Sequence, residues 1–153
     1  MPTQPHPPVK IRRARSSDAP QLAELTTQLG YPTTPAAVSK ILRKMKTAGT
    51  NQLFVAESSA QQVIGWTHVS IDHLLETGTR AEINGLIVAD GHRSLGAGAL
   101  LLDAAEAWAR EHGALEMSVR SKIQRERAHH FYLRQGYDHY KTQKAFRKPL
   151  RSL

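Results

Sequence analysis

There is no cysteine in this sequence, so it holds no disulfide, no thiol nucleophile and no thiolate metal ligand. That fits a reducing compartment, and the expected location is the cytoplasm. Long apolar runs are missing as well. Met1 to Pro8 is rich in proline and poor in apolar residues, so it reads as a short disordered lead over residues 1–8 and not as a signal peptide or membrane span. Aromatic residues make up only 6% of the chain, and they form no strip on which nucleic-acid bases could stack. Acidic residues are in the minority, 13 against 21 Lys and Arg, for a formal charge of +8. Much of the excess lies late, from Arg120 to Arg151. A basic surface suits nucleic acid, a polyanionic cofactor, an acidic substrate or simply solvent. With no zinc-finger pattern and no stacking strip, the sequence speaks against nucleic acid.

What is present is one domain's worth of alternating elements, expected to span residues 9–153. Val9 to Arg12 reads as a strand. Ser16 to Pro20 carries N-cap chemistry, followed by a helix with Leu22, Leu25 and Leu29 that stops near Gly30. Thr34-Pro35 opens a second helix with a stripe of Val38, Ile41, Leu42 and Met45, closed by Gly49. Leu53 to Ala56 and Val63 to His73 read as strands around a turn, and Ile83 to Ala89 as an apolar strand. In the second of these, Trp66, His68, Ser70 and Asp72 share one side. A helix follows through Trp108, then a strand at Leu115 to Arg120, a helix at Gln124 to Gln135 and a last strand at Tyr137 to Phe146. Antiparallel runs joined to βαβ-like units imply an α/β fold with a mixed sheet.

Between the apolar strand and its helix lies Asp90-Gly91-His92-Arg93-Ser94-Leu95-Gly96-Ala97-Gly98. A glycine turn that opens a helix presents unpaired N–H groups and the positive end of the helix dipole, which suits an anion. It is not a P-loop, because Ala97-Gly98 stand where Lys and Ser or Thr are needed. It is not a dinucleotide fingerprint either, since the third glycine would fall at Leu101. Arg93 to Gly98 does match the Arg/Gln-x-x-Gly-x-Gly/Ala motif of the GNAT N-acetyltransferases. Ile83 to Val88 resembles that family's central strand, and Ala128, Phe131-Tyr132 and Gly136-Tyr137 resemble its Ala-x-x-Phe-Tyr…Gly-Phe/Tyr element. The resemblance runs over about residues 9 to 150 in element order.

The resemblance implies a GNAT-like, mostly antiparallel sheet with helices on both faces, and acetyl-CoA in the gap between the central strand and the Leu115–Arg120 strand. Backbone groups of Arg93, Ser94, Leu95, Gly96, Ala97 and Gly98 would hold the pyrophosphate. Those of Leu86, Ile87 and Val88 would pair with the pantetheine arm, and a backbone N–H near Val88 would serve as oxyanion donor. Arg125 stands where many members carry Asn, and Tyr132 also belongs to the coenzyme set. The reaction implied is direct acetyl transfer to a primary amine. No Cys and no Gly-x-Ser-x-Gly elbow is present to carry an acyl-enzyme.

Tyr132 is the candidate general acid, since a phenol keeps its proton at neutral pH and can give it to the departing thiolate. Glu82 is the candidate base, expected on the same side of its strand as Asn84, Leu86 and Val88. Tyr31, His68 and Asp72 are candidate walls of the acceptor pocket. The acceptor itself, a small molecule or a peptide amine, is left open, as is a homodimer through the last strand. The eight histidines include no His-Glu-x-x-His, and no metal is expected. The rival readings are a non-catalytic acyl-CoA or nucleotide sensor and a basic nucleic-acid-binding domain.

Overall fold

The computed structural model describes residues 8–151, with residues 93–95 described by their backbone alone. All but Pro8 of the expected lead, and the Arg93 side chain, lie outside that description. The elements run β1 (Lys10–Arg13), a 3₁₀ turn (Ser16–Asp18), α1 (Ala19–Gln28), α2 (Pro35–Ala48), β2 (Asn51–Glu57), β3 (Val63–Leu74), β4 (Gly78–Val88), a second 3₁₀ turn (Asp90–Leu95), α3 (Ala97–Glu111), β5 (Met117–Val119) and α4 (Glu126–Arg134). The chain divides between Arg120 and Ser121 into two compact units. The first holds all five strands in sequence order, β1 to β4 antiparallel and β5 parallel to β4. This is the mixed, mostly antiparallel α/β architecture that the order of elements implied.

The local chemistry explains the helices. Thr34 is extended and its hydroxyl accepts the Ala37 N–H at 3.2 Å, Pro35 sets the first turn, and Gly49 at φ +71° ends α2. Val38, Leu42 and Met45 turn inward onto Leu22 and Leu25 of α1 and Leu53 and Val55 of β2. Ile41, expected in that stripe, sits at its rim and is exposed. On the other face of the sheet, α3 buries Leu101, Leu102, Ala105 and Trp108. Its Leu101 closes over Gly65 of β3, where a Cβ would come within 3.3 Å of it. Thr67, Val69 and Ile71 share the Gly65 side of β3 and are buried, while Trp66, His68, Ser70 and Asp72 on the other side are half-buried.

One charged cluster ties β1 to the start of α1. Arg12 forks onto both oxygens of Asp18 at 2.8 and 2.9 Å, and its Nε donates to Glu57 at 2.8 Å. Burial alone raises the Asp18 carboxyl, but the Arg12 bonds and the Arg15 N–H outweigh it and hold it below its ordinary value. The pair therefore stabilises fully above the usual carboxylate range and is lost as pH falls through the depressed folded-state value. Asp18→Asn leaves the guanidinium short of its main partner, and unfolding in urea should report a loss of about 3 kcal/mol at pH 7.

The feature that shapes the rest is a bulge in β4. His68 pairs with Gly85 and Val69 with Ile83, so Asn84 is an extra residue. Three side-chain bonds hold it. Asn84 Nδ2 donates to Ser70 Oγ at 2.8 Å and to the Glu82 carbonyl at 3.3 Å, and the buried Thr67 hydroxyl donates to the Gly85 carbonyl at 2.8 Å. Gly85 also leaves room for the Trp66 indole, which a Cβ there would meet at 2.7 Å.

The second unit carries α4. Residues 137–146, expected as a last strand, form none. Asp138 to Phe146 are exposed throughout, and the His139 ring bonds locally to Lys141 O at 3.1 Å and Thr142 Oγ1 at 3.0 Å. The run has too few apolar residues to bury one face of a strand. Among the described residues no helix is long and apolar enough to cross a membrane.

Candidate active site

Alternation along a strand is broken by an extra residue, and everything past Asn84 changes face and edge. Glu82 pairs with Ser70 and so shares its side with His68 and Asp72. Leu86 pairs with Thr67 and Val88 with Gly65, which puts both on the opposite, α3-facing side. Ile87 pairs with Trp66 and rejoins the Glu82 side. The expectation that Glu82, Leu86 and Val88 line one side is therefore corrected, because a two-residue period does not survive a bulge.

The backbone switches edges in the same way. Before the bulge, the Ala81 N–H points to β5 and donates to Glu116 O at 3.0 Å. After it, the Ala89 N–H points to β3 and donates to Ile64 O at 2.8 Å. Counting back by two, the Ile87 N–H also faces β3, while those of Leu86 and Val88 face the other edge. β5 pairs only with Ala81 to Ile83, so from Gly85 to Val88 that edge has no strand partner among the described residues. An extended acyl chain carrying amide groups could hydrogen-bond along it as an added strand does.

This open edge leads into the turn. Ala89 is extended, residues 90–95 form a 3₁₀ turn, and Gly96 at φ +74° and ψ 12° caps α3. The Leu100 N–H is bonded to Gly96 O at 3.1 Å, so the N–H groups of Ala97, Gly98 and Ala99 precede the first bond of the helix. No acidic residue occupies that first turn, and no side chain among the described residues caps it. The backbone of Arg93, Ser94 and Leu95 runs directly into it.

Glu82 is mostly buried, and its Oε1 takes the Arg120 Nε at 2.9 Å, leaving the second oxygen for another cation. Arg120 carried no motif signal; only the β4·β5 register, which sets Glu82 beside Ser118, brings it close. His68 stands opposite Gly85, at the bulge, and burial lowers its pKa below the ordinary value. Its Nε2 is 2.7 Å from Asn51 Oδ1. The Asn51 amide nitrogen donates to Thr50 Oγ1 at 3.2 Å, so the oxygen faces His68 and Nε2 carries the proton. Asp72 lies further down the same face. Tyr31 follows α1 in the loop to α2 and is exposed, with its N–H on Thr26 O at 3.1 Å.

In the second unit, Arg125 is the N-cap residue of α4, and Tyr132 lies two turns on. Burial pushes the Tyr132 phenol up, against the opposing influence of the Arg125 charge. Phe131 meets the Tyr132 ring edge-on at 5.2 Å and Tyr137 flanks it at 5.8 Å. The Tyr137 N–H closes back on Tyr132 O at 3.0 Å, around Gly136 at φ +90°. Nearby in sequence, the buried Ser121 hydroxyl has no partner among the described residues. Among the described residues no group of three or more His, Asp or Glu could hold a metal ion.

Comparison with known proteins gives one family. The model of the acetyltransferase (GNAT) family matches residues 19–137. An aminoglycoside N(6')-acetyltransferase type 1 from Stenotrophomonas maltophilia is 26% identical over 144 residues, 92% of this chain and 93% of that one. Among solved structures, an aminoglycoside antibiotic 6'-N-acetyltransferase from Acinetobacter baumannii superposes with a TM-score of 0.79 at 19% identity, over 94% of this chain and 99% of that one. AAC(6')-Iy, solved in complex with the bisubstrate analogue CoA-S-monomethyl-acetylneamine, superposes at 0.82 with 18% identity, over 93% and 99%. At those identities the two structures share the fold with this chain.

Proposed function

This chain belongs to the GNAT family of acetyltransferases, and on that premise we propose that it moves an acetyl group from acetyl-CoA directly to the primary amine of an amino sugar. The observation that carries the coenzyme half is the open β4 edge after Ile83, with Leu86 and Val88 facing it, running into the first-turn N–H groups of α3 that precede the helix's own bonds. The pantetheine amides hydrogen-bond along that edge at Leu86 and Val88, and Ile87 keeps the strand fixed to β3. The pyrophosphate takes the N–H groups from Arg93 to Gly98, and Arg125 adds a cation for coenzyme phosphate or pantetheine. The amino-sugar half is supported by the aminoglycoside-modifying relative that matches over nearly its whole length.

The chemistry needs alignment, stabilisation of the carbonyl oxygen and proton transfer. A bound coenzyme and acceptor held in line lower the barrier by several kcal/mol. The Val88 N–H is the donor to the oxyanion. Glu82 draws in the acceptor ammonium through the oxygen that Arg120 leaves free, and Tyr31, His68 and Asp72 wall the acceptor. Once the ammonium has lost one proton, nitrogen attacks the thioester carbonyl and the C–S bond breaks with its electrons on sulfur. Tyr132 gives sulfur its proton and is recharged by the second N–H proton, which the new amide no longer holds.

Calorimetric titration tests the reading. Acetyl-CoA should bind in the micromolar range and ATP at least tenfold more weakly, and neamine should then release free CoA thiol. Equal binding of both nucleotides favours a general nucleotide sensor, and no acetyl-CoA binding overturns the reading.

A further inference from the structure

The proposed reaction leaves one proton without an owner, the first one shed by the acceptor ammonium. Glu82 is poorly placed to keep it, because its Oε1 is already held by Arg120 at 2.9 Å. A carboxylate fixed in that way is a good handle for a cation. A second group stands on the same face. His68 and Ser70 are successive same-side residues of β3, and Ser70 pairs with Glu82. Along a strand that spacing is about 7 Å between backbones, so the two side chains rise from neighbouring positions on one face.

We propose that the His68 imidazole is the base that takes the acceptor's proton, with Asn51 as the positioning residue that fixes its tautomer and Glu82 holding the ammonium beside it. The assignment rests on the acetyl-transfer reading above. Asn51 Oδ1 accepts the Nε2 proton at 2.7 Å, and the Asn51 amide is itself oriented by Thr50. The lone pair then belongs to Nδ1, which has no hydrogen-bond partner among the described residues. Burial keeps the ring neutral at pH 7, the form a base needs. The ring also stands opposite Gly85, at the start of the β4 edge assigned to the pantetheine arm. The charged side chains on its own face are Asp72, Glu82 and the Arg120 that Glu82 holds, while the residues of α1 and α2 that pack on this face of the sheet, Leu22, Leu25, Leu29, Val38, Leu42 and Met45, are apolar.

The step balances without an outside reagent. The ammonium N–H bond breaks, its proton forms a bond to Nδ1, and the nitrogen lone pair is freed to form the C–N bond. The imidazolium returns its proton to water after the product leaves.

The test is single-turnover thiol release from acetyl-CoA with neamine, with the acetyl-CoA Kd measured for each variant. His68→Gln should slow the reaction about a hundredfold and leave the Kd within twofold. Free imidazole should restore part of the rate to His68→Ala, which a purely structural role would not allow. Asn51→Leu should slow wild type several-fold and add nothing in the His68→Gln background, since it acts only through the ring. Should His68→Gln not fold, His68→Asn replaces it. A His68→Gln rate within threefold of wild type overturns the base, and an undiminished Asn51→Leu effect in the double variant overturns the positioning role. If wild type itself releases no thiol with neamine, the amino-sugar reading fails and this assignment with it.

Discussion

Tyr132→Phe should lower turnover a hundredfold or more while leaving the acetyl-CoA dissociation constant within about twofold, the range expected for removing a general acid. The substitution deletes one oxygen and keeps the ring, so the edge contact to Phe131 and the flank of Tyr137 persist. Burial raises the phenol above its ordinary value of 10.0, so the proton is held through neutral and mildly alkaline pH. Such a phenol is a weaker acid than a thiol in water, and it does not act by acidity alone. In the proposed transfer, the protonated amide nitrogen formed on C–S cleavage is a far stronger acid than either, and it would drive the proton through the phenol to sulfur. The sign of the pKa shift adds a second expectation. Because the pKa is raised, wild-type turnover should not fall off through pH 9 from loss of the phenol proton. Thiol release at saturating neamine measures both, and an unchanged rate for Tyr132→Phe removes the acid role.

The elements that resemble the family were legible because their signals are local. The helix of Leu101, Ala105 and Trp108 shows its period, and the glycine turn before it matches a family motif. Thr34-Pro35 and Gly49 mark both ends of α2. The bulge at Asn84 left no such trace, because whether one residue is extra depends on what β3 pairs with from across a turn. Reading the strand as uninterrupted therefore put Glu82 with Leu86 and Val88. Once the extra residue is counted, Glu82 moves to the side of His68, and Leu86 and Val88 turn their N–H groups to the edge that β5 does not reach. The partners of the acceptor face were hidden for the same reason. Arg120 is 38 residues from Glu82, and Asn51 is 17 from His68, so neither pair is visible until the sheet sets its register. The strand expected over residues 137–146 failed differently. Between Tyr137 and Phe146 the run is mostly charged or polar and buries no face.

Gly96→Val should weaken acetyl-CoA binding by at least tenfold, about 1.4 kcal/mol or more. Gly96 sits at φ +74°, where an L-residue costs about 1–2 kcal/mol and a β-branched one more. A Cβ there would meet nothing within 4 Å, so the protein is not blocked for space. The chain has two responses, and both harm the site. It can keep the left-handed turn and place two methyl groups where the pyrophosphate must approach the backbone. Alternatively it can leave that conformation, and the N–H groups of Ala97, Gly98 and Ala99 then no longer converge. Gly113 supplies the control, since it has φ +79°, equally open space around its Cβ, and a place just past the opposite end of α3. Gly113→Val carries the same backbone strain and should lower the melting temperature about as much, with the acetyl-CoA Kd unchanged. Gly96→Ala should fall between wild type and Gly96→Val in affinity, because it has the strain with less bulk. If Gly96→Val and Gly113→Val both bind acetyl-CoA like wild type, the turn does not hold the pyrophosphate. If both lose affinity equally, strain in α3 rather than contact at its N-terminus is responsible. Loss at Gly96 alone would tie binding to the three N–H groups that the left-handed turn aims.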